Sequence, residues 1–203
     1  MNQTAKTYID LFRSVKIASA STVDSAGHPQ SRIINIMIAN DEGMVIVTSR
    51  GKPFWKQLMD TGEIALSAMC PDCQSLKFTG KIRRLEERKK WVDAVFEQNP
   101  GMNEVYPGES RYALDAFLIY EGNGEWFDLL HYPISRERFA YGGAVPEDVG
   151  FRIEESCIGC NRCAEVCPQK CIVPGAPYQI TWKHCLQCGL CAENCPAGAI
   201  TRL

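Results

Sequence analysis

Nine of the eleven cysteines in this 203-residue chain fall between positions 157 and 195. Eight of them form two runs, Cys157-x-x-Cys160-x-x-Cys163-x-x-x-Cys167-Pro168 and Cys185-x-x-Cys188-x-x-Cys191-x-x-x-Cys195-Pro196. The second run repeats the first at a constant offset of 28 residues, and Ile172 and Ile200 keep the same offset. Thiols at this density serve disulfides, zinc or iron–sulfur clusters. Disulfides belong to oxidising compartments. Structural zinc uses separated Cys-x-x-Cys pairs or mixes cysteine with histidine, which fits two complete runs of four poorly. A four-iron cubane offers four corners, each needing one thiolate. Three cysteines at two-residue intervals wrap three corners, and in two-cluster runs the fourth ligates the other cluster. The expected sets are therefore Cys157, Cys160, Cys163 with Cys195, and Cys185, Cys188, Cys191 with Cys167. The proline after each fourth cysteine fixes φ as the chain leaves the site.

Residue by residue, both runs resemble bacterial two-cluster ferredoxins, and residues 151–203 read as that module. Cys171 lies opposite Ala199 in the repeat, so it reads as a buried packing residue rather than a ligand. His184, next to Cys185, reads as a loop residue; tuning a cluster or carrying a proton is the alternative. Cys70-Pro71-Asp72-Cys73 is a separate Cys-x-x-Cys with no second pair near it. It reads first as two ordinary loop cysteines, with a redox dithiol or half a metal site as alternatives.

The rest of the chain must position whatever these clusters serve. Residues 15–23, 33–39, 44–48, 63–69 and 76–83 read as short β-strands separated by turn signals such as Asp24-Ser25-Ala26-Gly27 and Asn40-Asp41-Glu42-Gly43. Pro53 opens a short helix over residues 54–60 that ends near Gly62. Trp91, Val92, Val95 and Phe96 give residues 86–98 an apolar helical face. Residues 112–120 and 125–130 read as a last hairpin turning at Gly122-Asn123-Gly124, and the Gly- and Pro-rich stretch 133–149 as a link. The expected fold class is mainly β with α+β character: a barrel that closes its own edges, followed by a small cluster module. The expected domains are residues 1–140 and 151–203, joined by a linker at 141–150. Net charge is −2 and pI about 6, which argues against a nucleic-acid or anionic-membrane surface. No apolar run approaches the length of a membrane span, and the first ten residues show no signal-peptide core. Cytoplasm is the expected address.

The segments HPQSRIINIM, VTSRGKPFWKQL and LKFTGKIRRLE, in this order and spacing, resemble the split-barrel flavin proteins of the pyridoxamine-phosphate-oxidase-like superfamily over roughly residues 8–140. The resemblance implies FMN. It places the cofactor phosphate among Arg32, Thr48, Ser49, Arg50 and Lys52, the flavin ring along the backbone of Ile33, Ile34 and Asn35, and Ser75 within reach of the flavin. A phosphate dianion suits a guanidinium, an ammonium, hydroxyls and a helix start. Strand alternation can turn Arg50 away from that group. The resemblance also implies a homodimer with FMN at the subunit interface; Trp126 then either covers a partner's flavin or packs in the core.

Together the two parts imply an FMN-dependent iron–sulfur oxidoreductase. Electrons would pass between the two [4Fe–4S] clusters and FMN, with a soluble electron donor or acceptor protein on one side and a small-molecule acceptor on the other. The alternative is a non-enzymatic electron carrier between protein partners; a flavin-binding redox sensor is a third reading. The basic and histidine segment with which pyridoxamine phosphate oxidases bind substrate is replaced here by the cysteine runs, so vitamin B6 oxidation is not expected. No Gly-x-Gly-x-x-Gly fingerprint marks a nicotinamide-nucleotide fold. His28, His131 and His184 are widely spaced, and no catalytic acid or base stands out.

Overall fold

A computed structural model describes residues 3–203. The chain divides into two compact units: residues up to Trp126 with Arg138–Pro146, and Phe127–Glu137 with Glu147–Leu203.

The first unit begins with a helix, α1 (Gln3–Val15). Ala5, Tyr8, Ile9 and Phe12 recur at helical spacing and are all buried, so one face of α1 is core while the other is polar. The sheet strands are β1 (Ile17–Val23), β2 (Pro29–Asn35), β3 (Ile38–Asn40) and β4 (Gly43–Ser49). After α2 (Pro53–Thr61) come β5 (Glu63–Met69) and β6 (Ser75–Arg84). Helices α3 (Arg88–Gln98) and α4 (Met102–Val105) lead to β7 (Leu114–Asp128) and β8 (Ser135–Tyr141). The strands form one sheet in the order β2-β1-β5-β6-β7-β4-β3, with β8 paired to β7.

Strand alternation divides the apolar residues between two cores. Met44, Ile46, Phe117 and Ile119 join α1, Leu66, Leu76 and Phe78 in the larger one. Val45, Ala116 and Leu118 point the opposite way, onto Val92, Val95 and Phe96 of α3. The central strands are thus buried on both faces, and β4 reads as a continuous apolar run for that reason.

The structure corrects three expectations. Residues 33–39 are not one strand, because the chain breaks between β2 and β3 at Ile36 and Met37. No hairpin turns at Gly122-Asn123-Gly124, because β7 runs unbroken through it. The glycines there serve close approach instead. A Cβ on Gly122 would lie 2.4 Å from the Thr79 carbonyl oxygen, and one on Gly124 would lie 2.2 Å from the Phe139 ring. Glycine inside a strand marks such a contact as readily as a turn. Finally, residues 135–141, within the stretch read as a link, form β8, whose Phe139, Ala140 and Tyr141 are buried.

The second unit is a repeat. It runs β9 (Phe151–Ile153), α5 (Arg162–Val166), β10 (Ile172–Val173), β11 (Gln179–Ile180), α6 (Leu190–Glu193) and β12 (Ile200–Arg202). Strands β11 and β12 and helix α6 start 28 residues after β9, β10 and α5. Pairing is exchanged between halves: β9 pairs with β12, and β10 with β11, both antiparallel. The halves share their strands and a small core of Ile153, Ile172, Ile200 and the inward cysteines.

Candidate functional site

The 28-residue repeat extends to backbone conformation. Gly159 and Gln187 both have positive φ (69° and 57°), as do Asn161 and Gly189 (66° and 84°) and Lys170 and Gly198 (50° and 59°). Three of these six are not glycine, although the left-handed region disfavours other residues. A loop that holds the same unusual conformation in two different sequences is constrained by what it wraps.

Each half wraps a hollow. Cys167, Cys185, Cys188 and Cys191 line one; Cys157, Cys160, Cys163 and Cys195 line the other. Each hollow thus gathers three cysteines of one run and the fourth of the other. Among the described residues, no three His, Cys, Asp or Glu side chains are grouped as a single metal ion would need. The cysteines line a space instead, which is where a cubane would sit. Backbone N–H groups already point at two of them: Gln187 donates to Cys185 Sγ and Ala199 to Cys195 Sγ, each at 3.3 Å. Such donors favour the thiolate form that iron needs. Burial works against it, pushing the Cys163 thiol up and the Cys191 thiol up to about 11. Iron cations reverse that balance, and loading would release protons. The residues present fit two four-iron clusters.

Two neighbours brace the first hollow. Gln169 lies two residues after Cys167, and its Oε1 accepts from the Ile134 N–H at 3.2 Å. His184 precedes Cys185, and its Nδ1 lies 2.6 Å from the Ile134 carbonyl oxygen. His184 is therefore a structural tie to residues 127–137, a role that its sequence neighbourhood did not disclose. Cys171 also lines this hollow.

In the first unit the predicted phosphate residues separate into two kinds. Arg32 donates to the Ala20 carbonyl at 3.2 Å, to Thr22 Oγ1 at 2.6 Å and to Gln57 Oε1 at 2.8 Å. It lies 4.4 Å from the centre of the Phe54 ring, at the first turn of α2. Every one of these partners is neutral, and burial pulls the Arg32 pKa below the ordinary arginine value. A half-buried cation with no carboxylate partner among the described residues, beside a helix start, suits an anion. Lys52 occupies the N-cap position of α2 with no side-chain cap bond, and its side chain is exposed. Arg50 is different: its Nη1 donates to the Tyr112 carbonyl at 2.9 Å and lies 3.4 Å from Asp115 Oδ1. Its charge is offset within the chain.

The hydroxyls and the edge strand complete the picture. Ser49 Oγ is 2.9 Å from the Tyr106 hydroxyl, Thr48 is buried opposite Asp115, and Ser75 opens β6 half-buried. Ile33, Ile34 and Asn35 lie on β2, which ends the sheet order, so one backbone edge is unpaired within the sheet and Ile33 is 70% exposed. An open edge offers donors and acceptors to a planar heterocycle. Trp126 packs on the barrel core, its ring centre 6.3 Å from that of Tyr8. Cys70 is buried and Cys73 exposed, on the turn between β5 and β6. Burial and then Asp72 push the Cys70 thiol up, the reverse of what a reactive thiol needs.

Comparison with known proteins agrees with this division. Residues 156–199 match the family model described as a 4Fe-4S dicluster domain. No curated protein matches the chain as a whole or in part. Among solved structures, a NimC/NimA family protein from Clostridium acetobutylicum superposes with a TM-score of 0.58 at 16% identity, covering 68% of this chain and 94% of its own. A protein from the same organism, related to general stress protein 26 of B. subtilis and of the pyridoxinephosphate oxidase family, gives 0.53 at 16% identity over 68% and 96%. The chain thus has a split-barrel fold in its first unit and matches a 4Fe-4S dicluster domain over residues 156–199.

Proposed function

We propose that this protein is an FMN-dependent iron–sulfur oxidoreductase that moves electrons between two [4Fe–4S] clusters and FMN, and on to an acceptor. The carrying observation is the pair of hollows, each lined by three cysteines of one run and the fourth of the other, in a chain whose other unit has a split-barrel fold. Cys157, Cys160, Cys163 and Cys195 hold one cluster; Cys167, Cys185, Cys188 and Cys191 hold the other. Arg32, Lys52 and the start of α2 bind the FMN phosphate, with Thr48 and Ser49 shaping that end. The open edge of β2 at Ile33, Ile34 and Asn35 orients the flavin, and Ser75 faces it. Arg50 serves the fold through Asp115 rather than the cofactor. When bound, FMN exchanges one or two electrons and each cluster one, so together they match one-electron partners to a two-electron reaction. The protein works as a homodimer in the cytoplasm, with a soluble redox protein as electron partner.

The test is anaerobic purification followed by iron, sulfide and flavin analysis and stepwise reduction under an absorption spectrometer. About eight irons per chain are expected from two four-iron clusters, with one FMN that bleaches in step with the clusters. Zinc in place of iron, or no flavin on a folded chain, refutes the proposal. Turnover of a small-molecule acceptor well above that of free FMN separates an enzyme from a carrier between proteins.

A further inference from the structure

Three residues of α2 are buried: Phe54, Gln57 and Leu58. Their spacing puts them on one helical face. Phe54 and Leu58 belong to the barrel core, where an apolar side chain would serve as well as an amide. Gln57 is 8% exposed. Its Oε1 accepts from Arg32 Nη2 at 2.8 Å and from the Thr22 hydroxyl at 2.6 Å. Thr22 is buried too, and its oxygen accepts from Arg32 Nη1 at 2.6 Å. A guanidinium can only donate, so the direction of every bond in this ring is fixed. Arg32 gives two, Thr22 gives one, and Gln57 receives both bonds at its oxygen. Gln57 Nε2 has no partner among the described residues, although buried side-chain groups are normally paired. A carboxylate in this place would hold Arg32 as Asp115 holds Arg50, and would cancel its charge. The amide holds the guanidinium and leaves it positive.

We propose that Gln57 is a positioning residue that sets cofactor choice: it fixes Arg32 while leaving its charge to a phosphate, so that the site takes a phosphorylated flavin over riboflavin. This rests on the reading of Arg32 as a phosphate ligand. A phosphate monoester carries nearly two negative charges at neutral pH, and riboflavin carries none at that end. The gain from an uncancelled, half-buried cation therefore goes to FMN alone. A neutral residue at position 57 is what keeps that gain, and its oxygen is what holds the guanidinium still while the phosphate comes and goes.

The test titrates full-length, anaerobically purified protein, stripped of flavin, with FMN and with riboflavin, and reads the ratio of the two Kd values by flavin fluorescence. Gln57→Glu keeps the shape and an acceptor for Arg32 but adds a negative charge. It is expected to lower the preference for FMN about tenfold, the size of one charge-assisted hydrogen bond, with riboflavin affinity unchanged. Gln57→Met adds no charge and removes the acceptor, and is expected to lower the preference about threefold, the size of one neutral hydrogen bond. An unchanged ratio in Gln57→Glu overturns the proposal. So does an equal weakening of both flavins, which is what a purely structural role gives. A loss in Gln57→Met as large as in Gln57→Glu overturns it too, since charge would then decide nothing. Should Gln57→Glu yield no soluble protein, Gln57→Met decides, and an unchanged ratio there overturns the proposal. Wild type that binds both flavins equally refutes the phosphate reading of Arg32 itself, a separate result with which the proposal also falls.

Discussion

Trp55 donates its indole N–H to Asp115 Oδ2 at 2.8 Å, and so ties α2 to β7 through a carboxylate that is almost wholly buried. Arg50 approaches the other oxygen of the same carboxylate. The helix that would present its start to a phosphate is therefore fixed to the central sheet at its first turn. Asp115→Ala leaves the indole N–H and part of the guanidinium without their partner. We expect a loss of about 2 kcal/mol, the usual cost of stranding a buried polar group, read as a lower urea midpoint. An unchanged midpoint would show that water replaces the carboxylate freely.

The same pairing predicts which arginine matters to the cofactor. Arg32 has neutral partners and Arg50 has Asp115. Arg32→Met is expected to weaken FMN binding by about tenfold or more, the size of one charge-assisted hydrogen bond. Arg50→Met is expected to stay within about threefold of wild type on the same scale. Flavin fluorescence titration of the apoprotein reads both. Equal losses, or the reverse order, would put the phosphate elsewhere.

How far this was readable in the sequence depends on what each signal measured. The cysteine spacing made the two-fold repeat readable, because the same offset of 28 residues separates β9 from β11, α5 from α6 and β10 from β12. The strand-to-helix segment around Lys52 was readable from Pro53, whose fixed φ suits the helix start. The role of Arg50 was not, since its partner Asp115 lies 65 residues away and no local pattern joins them. Helix α1 is hard to read from the sequence although Ala5, Tyr8, Ile9 and Phe12 carry the period, because the polar residues between them dominate the average. Gly122 and Gly124 misled for a physical reason: glycine permits both a turn and a close approach, and only the partner chain segments, Thr79 and Phe139, decide which.

The β1–β2 turn makes a prediction about pH. Asp24 Oδ1 accepts from the Ala26 and His28 N–H groups at 2.9 Å each, and Oδ2 from Gln30 Nε2. The N–H of His28 foremost, then those of Ala26 and Gln30, outweigh burial and hold this carboxyl below its ordinary 3.8. A carboxylate depressed by folding stabilises above its unfolded value, and the effect is lost as pH falls through the lower native value. Asp24→Ala is expected to lower the denaturant midpoint by the same amount at pH 7 and pH 5. The gap should narrow only below about 3.8, the unfolded value. A gap that already halves by pH 5 would show that folding raises this carboxyl rather than lowering it.

The unbroken course of β7 can be tested at one atom. A Cβ on Gly124 would sit 2.2 to 2.7 Å from three atoms of the Phe139 ring. That ring is 2% exposed and stacks on Tyr8 with 4.9 Å between centres, so it cannot swing into open space. Gly124→Ala must therefore displace Phe139, Tyr8 or the strand itself, at a cost of about 1–3 kcal/mol for overpacking a filled core. Had Gly124 been the end of a solvent-facing hairpin turn, alanine there would cost less than about 1 kcal/mol. Phe139→Leu in the same chain removes the obstructing ring atoms, so the double variant Gly124→Ala/Phe139→Leu is expected to lose less than the sum of the two single changes. Urea midpoints of the four proteins decide it. Strict additivity would mean that the alanine methyl is met by something other than Phe139.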